Sequence, residues 1–223
     1  MTVRVAVSTV SDGDMRIPGL PENATIIAHR AAFLLSCDMS LRSSTRLRIS
    51  YDGTNFCRYR EVTAADMGDG MQTSVSVPSD ALITRTPGHS LFLPLADCVG
   101  AVIYDPIRCV LMLSHLGRHS IEQNGGYASV SYMIDKHQSD PASLLVWLSP
   151  SPGKDTYPMF AFDGRAIKDV AIEQLVLAGV IASNITNNSA DTSTDPRYFS
   201  HSEFLKGNSA KNGRHSMAAV MIK

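Results

Sequence analysis

Three apolar runs crowd into residues 91–119, at 91–95, 99–104 and 109–113. Asp105-Pro106-Ile107-Arg108 separates the second from the third. Asp-Pro forms turns, and proline cannot donate inside a central strand. The flanking runs therefore predict an antiparallel hairpin centred between Pro106 and Ile107, with Asp105 facing Arg108. That register sets Cys98 opposite His115, Cα atoms roughly 4.5–5.5 Å apart. The pattern thus expects a thiol and an imidazole side by side at the open end of a buried hairpin.

The rest of the chain alternates strand-like and helix-like patterns. Residues 3–9 read as a first strand, closed by Ser11-Asp12-Gly13-Asp14. Asn23 is placed to cap a helix running to about Leu35, with Ile27, Ala31, Leu34 and Leu35 on its inner face. Residues 47–51 predict a strand ending at Asp52-Gly53. Residues 67–71 form a glycine-rich loop, expected to be a mobile surface connection; the loop lacks the Lys-Ser/Thr of a phosphate cradle. A short apolar run at 80–84 precedes the turn Thr86-Pro87-Gly88. Gly117 can make a tight strand-to-helix turn, opening a helix over 119–135 that Gly125-Gly126 weakens by roughly 1 kcal/mol each. Residues 144–148 predict a buried strand carrying Trp147, and 149–153 a rigid loop. Asp163 is expected to cap a helix with Ile167, Val170, Ala171, Leu175 and Ala178 inward and Gly179 as its stop. A strand over 217–222 closes the chain. Such interleaving predicts a mixed-sheet α/β domain.

With 223 residues, one domain over 1–223 is expected. The 20 basic and 21 acidic residues nearly balance and no basic run stands out, which argues against nucleic acid or an anionic membrane as partner. No apolar run approaches the roughly 18 residues of a membrane helix, and the first residues lack a signal-peptide layout. Cys37, Cys57, Cys98 and Cys109 show no paired spacing, which predicts reduced thiols in a cytoplasmic protein.

A Cys98–His115 pair can be a nucleophile with its base, two ligands of zinc or copper, or a packed core pair. Asp97 can orient an imidazole or cap a turn. His119, four residues beyond His115, can face the same cleft from a helix. His89 is expected at the surface, and Asp135 and His137 in solvent. Cys37, Cys57 and Cys109 read as packing residues. In the expected register Cys109 faces Tyr104, roughly 20 Å along the strands from Cys98. Arg118 and Arg214 are candidates for holding an anion such as phosphate, or are plain surface arginines. Ser200-His201 is set aside as a nucleophile–base pair, because adjacent residues rarely point at each other.

At Leu95-Ala96-Asp97-Cys98 and His115-Leu116-Gly117 the sequence resembles the laccase-domain family, also called YfiH-like, multicopper polyphenol oxidase or purine nucleoside phosphorylase. The likeness continues in order through Asp80-Ala81-Leu82-Ile83-Thr84, Ser149-Pro150, the helix over 163–179, Asp191-Thr192, Phe199-Ser200-His201 and Gly213-Arg214. The resemblance implies an α/β/β/α sandwich and a zinc site of one Cys and two His, with Cys98 and His115 as ligands. It also implies phosphorolysis of purine nucleosides, so that a nucleoside and phosphate are the expected partners. The family's other ligand is a His in a Gln-x-His motif upstream of the Asp-Ala segment. This chain has no histidine between His29 and His89, and Arg118 replaces the Trp that follows His-x-Gly. Asp66, Asp69, His89 and His119 are the candidates for the third ligand. Two further classes stay open: a metal-free Cys98–His115 hydrolase of amides or esters, and a binding domain that kept the fold. One Cys and one His cannot build the several copper sites of a polyphenol oxidase.

Overall fold

The computed structural model describes residues 1–16, 24–72 and 77–222. In chain order the first elements are β1 (Thr2–Val7), α1 (Ala24–Ser36), β2 (Ser44–Arg46), β3 (Tyr59–Glu61), β4 (Ala81–Thr84), β5 (Ser90–Leu95), β6 (Val99–Asp105) and β7 (Val110–Leu116). There follow α2 (Arg118–Glu122), α3 (Gly125–His137), β8 (Leu145–Leu148), β9 (Pro158–Met159), β10 (Arg165–Ala166), α4 (Ile167–Leu177), β11 (Ile185–Asn187), α5 (His201–Leu205) and β12 (His215–Ile222). A four-stranded sheet, β1-β12-β5-β2, faces a six-stranded one, β11-β8-β6-β7-β4-β3.

Three apolar layers hold the sheets and helices together. Leu82, Leu93, Val102, Leu113 and Met217 fill the space between the sheets. Ile103, Met112, Val130, Val170 and Leu175 join the six-stranded sheet to α3 and α4. Phe33, Leu34, Phe92 and Ala218 join the other sheet to α1. This is the expected α/β/β/α sandwich. Every residue of β6 and β7 is buried, so these strands read as continuous apolar runs, covered on both faces. Among the described residues no helix is long and apolar enough to cross a membrane.

The central hairpin forms, but in a different register. Asp105 pairs with Val110 and Gly100 with His115, so the loop holds four residues where two were expected. Asp105 Oδ1 accepts the N–H groups of Ile107 and Arg108, both at 2.8 Å, and Cys109 turns the chain at a left-handed φ of 53°. The shift is two residues. Side chains alternate with period two, so Cys98 and His115 stay on one face as diagonal neighbours. Cys109 lies in the loop and Leu111, not Cys109, faces Tyr104.

Four other expectations are corrected. The strand expected over 47–51 ends earlier, at Arg46; Leu47 N–H still reaches Phe92 O at 2.9 Å before the chain leaves the sheet. The helix expected over 119–135 breaks at Asn124, whose φ is 57°. Asp163, with φ 54°, sits in a turn, and Ala166 holds the N-cap position of α4 without a capping side chain; the inward stripe Ile167, Val170, Ala171 and Leu175 is as predicted. In α1 the buried stripe is Ile26, Arg30, Phe33 and Leu34, one position away from that expected, and Leu35 is exposed. The proposed cap Asn23 lies outside the described residues.

Arg30 explains the rotated stripe. Its Nε and Nη2 donate to Met15 O at 2.9 and 2.6 Å, and Nη1 donates to Met71 O at 3.1 Å. Arg46 Nε donates to Gly70 O at 2.8 Å. Burial, then Arg46, pulls the Arg30 guanidinium down to about 9. Residues 67–71 are therefore pinned rather than a loose surface connection, and Met71 is wholly buried.

Candidate active site

Beyond the open end of the β6–β7 hairpin the two sheets part into a cleft of two lobes. Ile49, Tyr51, Cys98, His115, Arg118 and Tyr157 line both. The first, about 160 Å³, adds Phe56, Asp80 and His119. The second, about 340 Å³, adds Asp97, His201, Ser202 and Arg214. Cys98 and His115 stand where the lobes join.

Gly117 lets the two side chains meet. A Cβ on Gly117 would lie 2.5 Å from His115 Cε1, 3.0 Å from its Nε2 and 3.2 Å from Cys98 Sγ. Any larger residue would push into both groups. Burial, then Asp97, pushes the Cys98 thiol up to about 11, although Arg214 and the backbone N–H of Arg118 oppose this. Burial pulls the His115 imidazole down to about 4. Both groups are neutral at pH 7. A thiolate–imidazolium nucleophile of the kind a cysteine hydrolase uses is therefore not poised here.

Asp97 has a structural task. At a left-handed φ of 80° its Oδ1 accepts from Thr192 Oγ1 at 3.0 Å, and its Oδ2 accepts from Ser202 N–H and Oγ at 2.7 and 2.8 Å. Both oxygens are engaged in holding the cleft's far wall, not in orienting an imidazole. Ser200 Oγ accepts from Glu203 N–H at 3.2 Å as the cap of α5, in line with setting it aside as a nucleophile.

Arg118 lies over the Tyr157 ring, Cζ 4.5 Å from its centroid. Arg214 donates from Nη1 to Gly213 O at 2.8 Å, and its backbone N–H reaches Asp14 Oδ1 at 2.9 Å. His119 does face the cleft, stacked on Phe56 at 4.7 Å. His89, expected at the surface, is fully buried. Thr45 Oγ1 already donates to Asp66 O, so the 2.7 Å contact with His89 Nε2 makes the ring the donor. His137, expected in solvent, packs its ring 2.9 Å from Glu61. Arg60 pairs with both Asp66 and Asp69, at 2.7 and 2.9 Å, so neither turns to the cleft. Sequence reasoning missed Tyr51, Phe56, Tyr157 and the Asp80–Arg58 pair; only the Asp-Ala segment pointed toward one of them.

Among the described residues no group of three or more His, Cys, Asp or Glu side chains converges closely enough to hold a metal ion. Cys98 and His115 make two donors, one short of the three that a catalytic zinc keeps. The residues present do not fit the zinc site that the resemblance implies.

Residues 57–162 match the family described as multi-copper polyphenol oxidoreductase laccase. Two solved structures share the fold over nearly the whole chain. The hypothetical protein YfiH of Bacillus licheniformis superposes with a TM-score of 0.83 and 21% identity, covering 98% of this chain and 92% of that one. YlmD of Geobacillus stearothermophilus does so with 0.84 and 20%, covering 99% and 92%. About half of this chain thus resembles the laccase-domain family, and the whole chain has the fold of YfiH and YlmD. A curated relative, the purine nucleoside phosphorylase YlmD of Bacillus subtilis, is 26% identical over 137 residues. That match spans 60% of this chain and about half, 48%, of the relative.

Proposed function

We propose that this cleft binds a purine nucleoside with inorganic phosphate and splits the glycosidic bond by phosphorolysis, residues 1–223 acting as one domain. The observation that carries the reading is the junction of the two lobes at Cys98 and His115, where Tyr51, Tyr157 and Arg118 line both lobes, Phe56 adds a ring to the first and Arg214 a cation to the second. The rings of Tyr51, Phe56 and Tyr157 suit a flat base. Arg118 and Arg214 suit the phosphate oxygens. The name of the curated Bacillus subtilis relative supports the reaction class. Unpaired thiols throughout support a cytoplasmic setting.

In the proposed reaction a phosphate oxygen attacks C1′ of the sugar. The C1′–N9 bond breaks, its electron pair goes to the base, and the base takes up a proton and leaves as free purine. The other product is the sugar 1-phosphate. Arg118 and Arg214 hold the anion where charge develops. Neutral His115 and Cys98 meet the sugar at the junction, and Asp97 acts through the wall it holds.

Chromatography of adenosine, inosine and guanosine incubated with and without phosphate tests the reading. Free base released only with phosphate is expected, falling about 100-fold or more in Arg118→Ala. No phosphate-dependent release from any of these nucleosides, with or without added zinc, would sink it.

A further inference from the structure

The strand upstream of Asp80 sets a guanidinium on the carboxylate that lines the first lobe of the cleft. β3, β4 and β7 lie side by side, Tyr59 level with Ala81 and Ala81 level with Ser114. One step nearer the cleft, Arg58, Asp80 and His115 form a row. Asp80 N–H reaches Arg58 O at 2.7 Å, and His115 N–H reaches Asp80 O at 2.8 Å. Alternation puts all three on the face of Leu82 and Leu113, between the sheets.

Asp80 is the acid lining the lobe that also holds Cys98 and His115, and its side chain is nearly buried. Arg58 engages both oxygens of its carboxylate. Nε and the backbone N–H donate to Oδ2 at 2.7 and 2.9 Å, and Nη2 donates to Oδ1 at 3.1 Å. The same Nη2 donates to Ser50 O at 2.7 Å, which fixes the guanidinium in place.

We infer that the Arg58–Asp80 ion pair has taken the place of the third metal donor and keeps Cys98 and His115 as a two-donor pair that does not retain zinc. Asp80 can turn to a metal only by breaking the hydrogen bonds that Arg58 makes to its nearly buried carboxylate, a costly rupture. The guanidinium in the same row also repels a dication. The inference does not rest on the phosphorolysis reading, since it is read from metal content alone.

The test is zinc uptake by the full chain, dialysed against free zinc buffered at about 1 nM and measured by elemental mass spectrometry. Wild-type protein is expected to hold roughly a tenth of an equivalent or less. Arg58→His removes the cation, frees Asp80 and adds a neutral donor. It is expected to bind about 100-fold tighter or better, and Cys98→Ala on that background is expected to cancel the gain. A thiolate-to-cobalt(II) absorption band in Arg58→His, absent from the wild type, is the matching spectroscopic signature. Near-stoichiometric zinc in the wild type, lost in Cys98→Ala, overturns the inference. So does a folded Arg58→His with wild-type affinity. If Arg58→His does not fold, the wild-type measurement decides by itself.

Discussion

Arg30 and Arg58 both bring a guanidinium into the interior, and they are satisfied in opposite ways. Arg30 is held by backbone: it donates to carbonyl oxygens of Met15 and Met71, from segments on either side of α1. Arg58 is locked to the carboxylate of Asp80 and stays partly open to solvent, with 24% of its side chain exposed against 4% for Asp80. The first arrangement spreads one charge over several backbone dipoles and ties loops to the core. The second confines the charge to one partner, beside His115. A cation that serves the fold and a cation that shapes a site thus differ in what they bond as well as in how deeply they lie.

Breaking the first arrangement should have the largest effect. Arg30→Met leaves the carbonyls of Met15 and Met71 buried without a donor, and a loss of about 4 kcal/mol is expected in urea unfolding. No single second substitution should restore it. Arg58→Met strands a buried carboxylate and is expected to cost about 3 kcal/mol. Here one change should help: in an Asp80→Asn background the cost of Arg58→Met should shrink by roughly 2 kcal/mol. A double-mutant cycle measures this, and additive costs would erase the distinction between the two arginines.

The buried histidines sharpen the contrast by giving up their charge. His115 and His215 are both pulled down to about 4 by burial. The unfolded chain, near 6.5, binds more protons between those values, so their stability is present above about 6.5 and lost as pH falls toward 4. A loss of roughly 2 to 3 kcal/mol per histidine is expected between pH 7 and pH 4.5. Urea midpoints across that range check it, and His215→Phe should flatten the slope. A midpoint indifferent to pH would mean that the rings are charged and partnered.

The smallest effect concerns Cys98. A thiol pushed up to about 11 carries about 100-fold less thiolate at pH 7.5 than an ordinary one. Iodoacetamide should therefore label Cys98 slowly, at a rate that climbs toward pH 11, as peptide mapping would report. Prompt labelling at neutral pH would bring the Cys–His hydrolase back.

Much of the site was legible because parity is robust. The expected hairpin register was off by two residues, yet Cys98 and His115 kept one face, since an even shift cannot turn a strand over. Gly117, Arg118 and His119 follow directly on the end of β7, and Arg214, singled out as an anion-binding guanidinium, stands just before β12. Polar groups far from such landmarks were not legible. Asp97 is spoken for by Thr192 and Ser202, about a hundred residues further along. His89 found Thr45, and Arg58 found Asp80, across strand pairings that no local pattern announces.

The linear order of apolar and polar residues determined the layers of this protein: hydrophobic period sets which faces are buried, and that information is local. What each buried polar group does was decided by the tertiary structure alone. A charge or imidazole drawn out of water must find its partner wherever the chain returns. That is why two arginines of the same kind end as a fastener for loops and as a guard beside His115.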